Sequence, residues 1–290
     1  MNWASYELRE IRNRAASLSR PAAKQKIRMV KLRIHGIQRQ DVGGVSFCAV
    51  TPREAVSILL QATEVSGLSR APHVHLANAY SVALASQDAE LAGVFNARDA
   101  IVFADGKSVE VAHRATARGS KSPVRQVRGP DFFRQVLDAG QAVGIRHYFL
   151  GGSPGTLARL QEQVEGKFPA ARVVGAFSPP FRALSVAEIE DVDLAIKQAD
   201  PDIIWVGLGT PKQDFEAARL VQSLNIPTCA VGAAFDYVAE TLEEAPGWMS
   251  RWGVEWVFRL SREPRRLWKR YAVGNVQFAV AVVRHRDSSA

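Results

Sequence analysis

Polar side chains stand at the ends of several apolar runs in this sequence, and their types suit proton transfer and anion binding. Asn78 follows HVHLA, Asp105 and Gly106 follow AIVFA, and Gly151, Gly152 and Ser153 follow HYFL. Lys212, Gln213 and Asp214 follow IIWVGLGTP, and Asp236 follows TCAVGAAF. Asp105 has the character of a carboxylate at a pocket mouth, suited to accepting a proton from a hydroxyl. Taken alone, an Asp-Gly pair is also an ordinary turn. The stretch GGSPGT could hold a phosphate on backbone N–H groups, although it is neither G-x-G-x-x-G nor the phosphate loop G-x-x-x-x-G-K-[ST]. Gly207 and Gly209 allow close backbone approach, Pro211 can open a helix, and Lys212, Gln213 and Asp214 crowd the first turn, where anions are drawn. On spacing alone that stretch fits a plain strand-to-helix turn equally well.

Metal-ligand patterns are weaker. Asp191 and Asp193 have the D-x-D form used to hold a divalent ion on sugar nucleotides, but they fall inside an expected helix, where i and i+2 diverge. Asp200 and Asp202 precede their strand and so belong to the opposite rim. His73 and His75 share one face of a strand with no third ligand in view, which makes them structural histidines. No metal site and no cofactor is expected. Neither a G-x-S-x-G elbow nor H-E-x-x-H occurs, and the missing glycine fingerprint argues against a nicotinamide-dependent oxidoreductase.

The elements that must position these residues alternate between strand and helix. Strands are expected at 45–49, 73–77, 100–104, 145–150, 172–177, 203–208 and 228–232. Helices are expected at 53–63, 79–92, 107–118, 131–143, 156–168, 185–198 and 215–224. Such alternation implies an α/β fold, a Rossmann-like parallel sheet sandwiched by helices, with the polar residues converging on one rim. Residues 1–42 form a basic extension with Gly43 and Gly44 at its edge, 43–247 the α/β body, and 248–290 a basic, Trp- and Arg-rich helical appendage. In the appendage Trp248, Trp252, Trp256 and Leu260 recur at helical spacing, Pro264 restarts the helix, and Leu267, Trp268 and Tyr271 continue the stripe among arginines. Tryptophans in a basic helix suit a bilayer surface, and they equally suit packing on the body.

An apolar share of 47% with 23% charged residues over 290 positions belongs to a globular protein rather than a disordered tail or fibre. Cys48 and Cys229 are too few for a disulfide scaffold, which fits a reducing cytoplasm. No apolar run is long enough to span a membrane, and residues 1–40 lack the apolar stretch of a secretory leader. The net charge of +8 is uneven: residues 1–40 hold ten Lys/Arg against two acids, 251–270 hold seven against two, and the middle is mildly acidic. Basic ends would meet nucleic acid, anionic lipid or a diphosphate. The acidic middle, without a known nucleic-acid module, counts against a basic nucleic-acid-binding protein, the alternative function.

From Val45 to Tyr271 the sequence resembles the WecG/TagA/CpsF glycosyltransferases, glycosyltransferase family 26. The likeness rests on LANAYSVALA, AIVFADGKSVEVAHR, RGPDFF, YFLGGSPGTL, PDIIWVGLGTPKQDFEAAR, VGAAFDYVAETLEEAPGWM and GVEWVFRLSREPRRLWKRY, in that order. The resemblance implies an inverting, metal-independent enzyme acting in cell-surface polysaccharide biosynthesis. It would move N-acetylmannosamine or a related uronic acid from a UDP-sugar donor to a polyprenyl-diphosphate-linked sugar at the cytoplasmic face of the plasma membrane. By the same resemblance Asp105 is the catalytic base, Asn78, Gln213 and Asp236 are pocket residues, and Arg259, Arg266 and Arg270 lie in an appendage that closes over the site and touches an anionic membrane. Helix N-termini, Lys212 and the arginines would stabilise the departing UDP. Relatives often carry Thr where this chain has Leu76 and Glu where it has Asp214, which bears on donor identity. The oligomeric state is left open, a homo-oligomer included.

Overall fold

The computed structural model describes residues 36–64, 70–117, 120 and 122–286, apart from the side chains of residues 250, 251 and 266. Most of the basic extension expected at 1–42, residues 1–35, lies outside the described residues.

Six strands form one parallel sheet: β3 (His73–Ala77), β4 (Ala100–Ala104), β5 (Arg146–Gly151), β6 (Arg172–Phe177), β7 (Ile203–Gly207) and β8 (Thr228–Ala230). Their order is β4-β3-β8-β7-β5-β6. The chain leaves β3 outward to β4 at one edge and β5 outward to β6 at the other. These connections diverge around β8 and β7 and open a crevice at the carboxyl ends. β4 and β7 read as unbroken apolar runs, and β3 and β5 are buried along their whole length, because helices cover both faces.

On one face α1 (Pro52–Glu64), α5 (Gly129–Gln141) and α6 (Pro154–Lys167) bury an aromatic cluster. Phe133 meets Trp205 edge-on at 4.7 Å and lies 5.6 Å from Phe235. The other face is covered by α2 (Ala79–Ala85), α3 (Ala89–Asn96), α7 (Val186–Ala199) and α8 (Lys212–Leu224). Alternate residues serve the two layers, so neighbours such as Tyr148 and Phe149 fall into different clusters.

Two local features depart from the sequence expectation. The helix expected over 79–92 is two helices, because Asp88 accepts from the N–H groups of Glu90 and Leu91 and so starts α3 afresh. The run 45–49 lies outside the parallel sheet. Its core β2 (Val45–Cys48) pairs antiparallel with β1 (Arg39–Val42) across a turn made by Gly43 at φ 65 and Gly44 at φ 87. Gly43 and Gly44, where the sequence reading sets the edge of the body, are thus the bend of a hairpin, which Arg39 ties to β4 by donating to the Ala100 carbonyl at 2.7 Å.

The remaining helices are α4 (Lys107–Thr116), the short α9 (Ala234–Val238), and α10 (Gly247–Trp252), α11 (Glu255–Arg262) and α12 (Pro264–Arg286) at the C-terminus. α12 docks on α2 and on the hairpin. A Cβ at Gly274 would come within 3.0 Å of the Tyr80 ring, and one at Gly44 within 2.7 Å of His285.

Candidate active site

A cavity of about 1330 Å³ opens at the carboxyl ends of the sheet, walled on its far side by α11 and α12. Asn78, Asp105, Gly106, Gly152, Ser153, Lys212, Gln213, Asp236, Arg259 and Arg270 all line it. Gly151 sits behind the wall, where it lets two strands close up: a Cβ there would lie 2.5 Å from the Gly207 carbonyl oxygen. Arg266 is carried by α12, and its side chain lies outside the described residues.

Asp105 leaves β4 with its N–H donating to Ala77 of β3 at 2.9 Å. Its Oδ1 accepts the Gly129 N–H at 2.7 Å, and its carbonyl accepts from Gln126 Nε2 at 2.9 Å. Among the described residues Oδ2 has no protein partner, and the group faces the cavity. Burial raises the carboxyl above its ordinary range, the Gly129 N–H opposes this, Glu255 pushes it further up, and Arg259 and Arg128 pull it down. A carboxylate that holds protons more tightly than usual, yet fixed at one oxygen, is fitted to take a proton from a hydroxyl.

Asn78 is the N-cap of α2: its Oδ1 accepts from Tyr80 and Ser81, and Ser81 returns a bond to the Asn78 N–H. It abuts Gly106, the N-cap of α4, whose missing side chain leaves room beside Asn78 Cβ. Ser153 caps α6 through Thr156, and Thr156 Oγ1 reaches Asp236 Oδ1 at 3.4 Å. Gln213 is buried, its Oε1 accepting the Gly209 N–H at 3.0 Å, which shapes the turn before α8. Lys212 has no ion-pair partner among the described residues and lines the cavity.

The arginines of α11 and α12 reach inward. Arg270 lies 4.2 Å over the Tyr80 ring and Arg259 5.8 Å from the Tyr237 ring. Among the described residues the Nε atom of each is buried without a protein partner. Burial, then the nearby Arg259, lowers the affinity of Arg270 for its own proton. Two buried guanidiniums that influence one another in the cavity wall have the chemistry to receive an anion.

Sequence reasoning missed Arg128, Glu255, Tyr80 and Tyr237, all of which line the cavity. The signal for Arg128 was its place just before the Gly-Pro that opens α5; its partner Glu255 is 127 residues away.

The D-x-D carboxylates are used structurally. Asp193 takes a forked pair of bonds from Arg219 at 2.8 Å each. Asp200 pairs with Arg146 at 2.7 Å, and Asp202 accepts the Arg146 N–H at 2.9 Å, at the opposite edge of the sheet. His73 and His75 join a buried row: Asp214 Oδ1 to His75 Nδ1 at 2.9 Å, His75 Nε2 to His73 Nδ1 at 2.7 Å, and His73 Nε2 to Asp99 at 3.3 Å. Among the described residues no group of His, Cys, Asp and Glu is placed to hold a metal ion.

Comparison with known proteins adds a chemical context. The sequence profile of the glycosyl transferase WecG/TagA/CpsF family matches residues 40–290. The chain is similar to the N-acetylglucosaminyldiphosphoundecaprenol N-acetyl-beta-D-mannosaminyltransferase of Bacillus spizizenii strain W23, at 26% identity over 207 residues, 71% of this chain and 76% of the relative. A protein of the same name from Bacillus subtilis strain 168 is 25% identical over 177 residues, 58% of this chain and 63% of that relative, just under two thirds of its length.

Proposed function

The chain belongs to the glycosyl transferase WecG/TagA/CpsF family, and from that premise we propose that it moves N-acetylmannosamine or a related hexose or uronic acid from a UDP-sugar to a polyprenyl-diphosphate-linked sugar. Its product would serve cell-surface polysaccharide assembly. The two Bacillus relatives carry this acceptor and sugar in their names. The observation that carries the reading is the placement of Asp105, with Oδ1 fixed by Gly129, across one cavity from Arg259 and Arg270.

In this mechanism the acceptor hydroxyl gives its proton to Asp105 Oδ2 while its oxygen attacks the anomeric carbon from the side opposite UDP. The bond from that carbon to the diphosphate oxygen breaks, UDP leaves with the electron pair, and the configuration inverts. Charge grows on the diphosphate, where Arg259, Arg270, Lys212 and the N-terminus of α6 supply fixed positive potential. Those cations take the part that a divalent ion plays elsewhere, which supports metal-independent transfer.

A site at the inner face of the plasma membrane agrees with exposed Trp248, Trp252 and Trp268 on the helices that wall the cavity. Among the described residues no helix is long and apolar enough to cross a membrane, so attachment would be peripheral.

The test is Asp105→Asn assayed with UDP-N-acetylmannosamine and a lipid-diphosphate N-acetylglucosamine acceptor. Transfer should fall by roughly a hundredfold or more while UDP binding persists, and chelator should leave wild-type turnover unchanged. Full activity in Asp105→Asn would remove the base from this mechanism.

A further inference from the structure

The segment leading into α5 holds the base by its main chain and the C-terminal helices by one side chain. Gln126 forms a parallel bridge with Ala104, the Val127 N–H donates to the Ala104 carbonyl at 2.7 Å, and the Gly129 N–H donates to Asp105 Oδ1 at 2.7 Å. Between these contacts, Arg128 Nε donates to Glu255 Oε2 at 3.1 Å and Nη2 to Glu255 Oε1 at 3.2 Å. Its Nη1 donates to Glu244 at 2.8 Å and Asp131 at 3.1 Å. The Arg128 side chain is 12% and that of Glu255 21% exposed, so the fork between them is largely shielded from water, while the Asp131 carboxylate at 49% is not.

Glu255 opens α11, and Glu244 lies in the segment before α10. One guanidinium therefore fastens both to the mouth of α5. Forked Arg–carboxylate pairs are directional, and a partly buried one that loses a partner leaves an uncompensated charge.

We propose that Arg128 is a positioning residue for the transfer reaction: it neutralises Glu255 beside Asp105 and seats α11 over the cavity, joining closure of the cleft to placement of the base. This rests on the reading of Asp105 as the base. The groups that face Asp105 are the Gly129 N–H from α5, Arg128 from the preceding segment, Glu255 and Arg259 from α11, Tyr237 from α9 and Arg270 from α12. Glu255 raises the proton affinity of Asp105, and Arg128 lowers it.

The signs of two substitutions are therefore opposite. Glu255→Gln removes a negative neighbour of Asp105 while Arg128 keeps Glu244 and Asp131, so the acid limb of kcat/KM moves to lower pH. Arg128→Met strips a positive charge that lowers the proton affinity of Asp105 and opposes Glu255, so the limb moves to higher pH. Each also loses roughly tenfold or more in rate through misplacement of α11, and Trp256 emission shifts as that helix loosens. Arg128→Lys keeps the charge without the fork, so its limb stays near that of the wild type and part of the rate returns.

The experiment is pH–rate profiles of these variants beside Asp105→Asn, with folding checked by circular dichroism. Should Arg128→Met not fold, Glu255→Gln and Arg128→Lys decide the matter. Opposite displacement of the limb supports the inference. A limb that stays put in folded Glu255→Gln, with Asp105→Asn inactive, overturns the positioning role alone. Full turnover in Asp105→Asn overturns the base reading and this inference with it.

Discussion

Asn78 joins two duties that the sequence presents as one. Its position after β3 marks it as a rim residue, yet its Oδ1 is committed to the Tyr80 and Ser81 N–H groups that start α2. Asn78→Ala should therefore cost about 1 kcal/mol in urea unfolding, while Asn78→Ser should recover most of it. Equal stability of wild type and Asn78→Ala would show the cap to be idle. Rim residues of this kind were legible because parallel strands send their carboxyl ends to one edge, so a polar residue after an apolar run has one place to go. Arg128 and Tyr80 were not. Their partners, Glu255 and Arg270, come from a C-terminal segment whose path back over the cleft no local pattern encodes.

Among elements, β4 and β7 stood out because burial on both faces makes them continuous apolar runs. The β1–β2 hairpin did not, since Gly43 and Gly44 read as a border when they are a bend. The division of α2 from α3 was hidden because apolar residues continue past Asp88. The tryptophan stripe of α10–α12 had two readings, and Trp252 at 79% and Trp248 at 54% exposed do not spend themselves on packing. With Trp268 they present indoles from a basic surface, so the protein should sediment with vesicles containing phosphatidylserine and less with phosphatidylcholine alone. Trp248→Ala combined with Trp252→Ala should weaken that binding by roughly tenfold. Indifference to both lipid charge and these substitutions would leave the surface unexplained.

At the scale of the molecule, buried imidazoles make the fold sensitive to acid. Burial, then His75, lowers His73 from 6.5 to about 4, and burial lowers His147 from 6.5 to about 3. Between pH 6.5 and about 4 the unfolded chain binds protons that the folded chain refuses, so stability falls as pH falls through that window. Asp105, raised when folded, acts in the opposite sense and offsets part of the loss. Urea unfolding at pH 7 and pH 5 should differ by about 2 to 4 kcal/mol, the lower pH being weaker; a flat profile would mean that the two rings find acceptors once charged.

The inward-facing Arg259 and Arg270 have a practical consequence for anyone handling the enzyme. On the proposed reading, a chamber whose lining carries more cations than carboxylates should draw small dianions from solution, so phosphate or sulfate in a storage buffer is expected to compete with a UDP-sugar. Turnover measured in such buffers would understate the catalyst, and chloride-only conditions give the fairer reading.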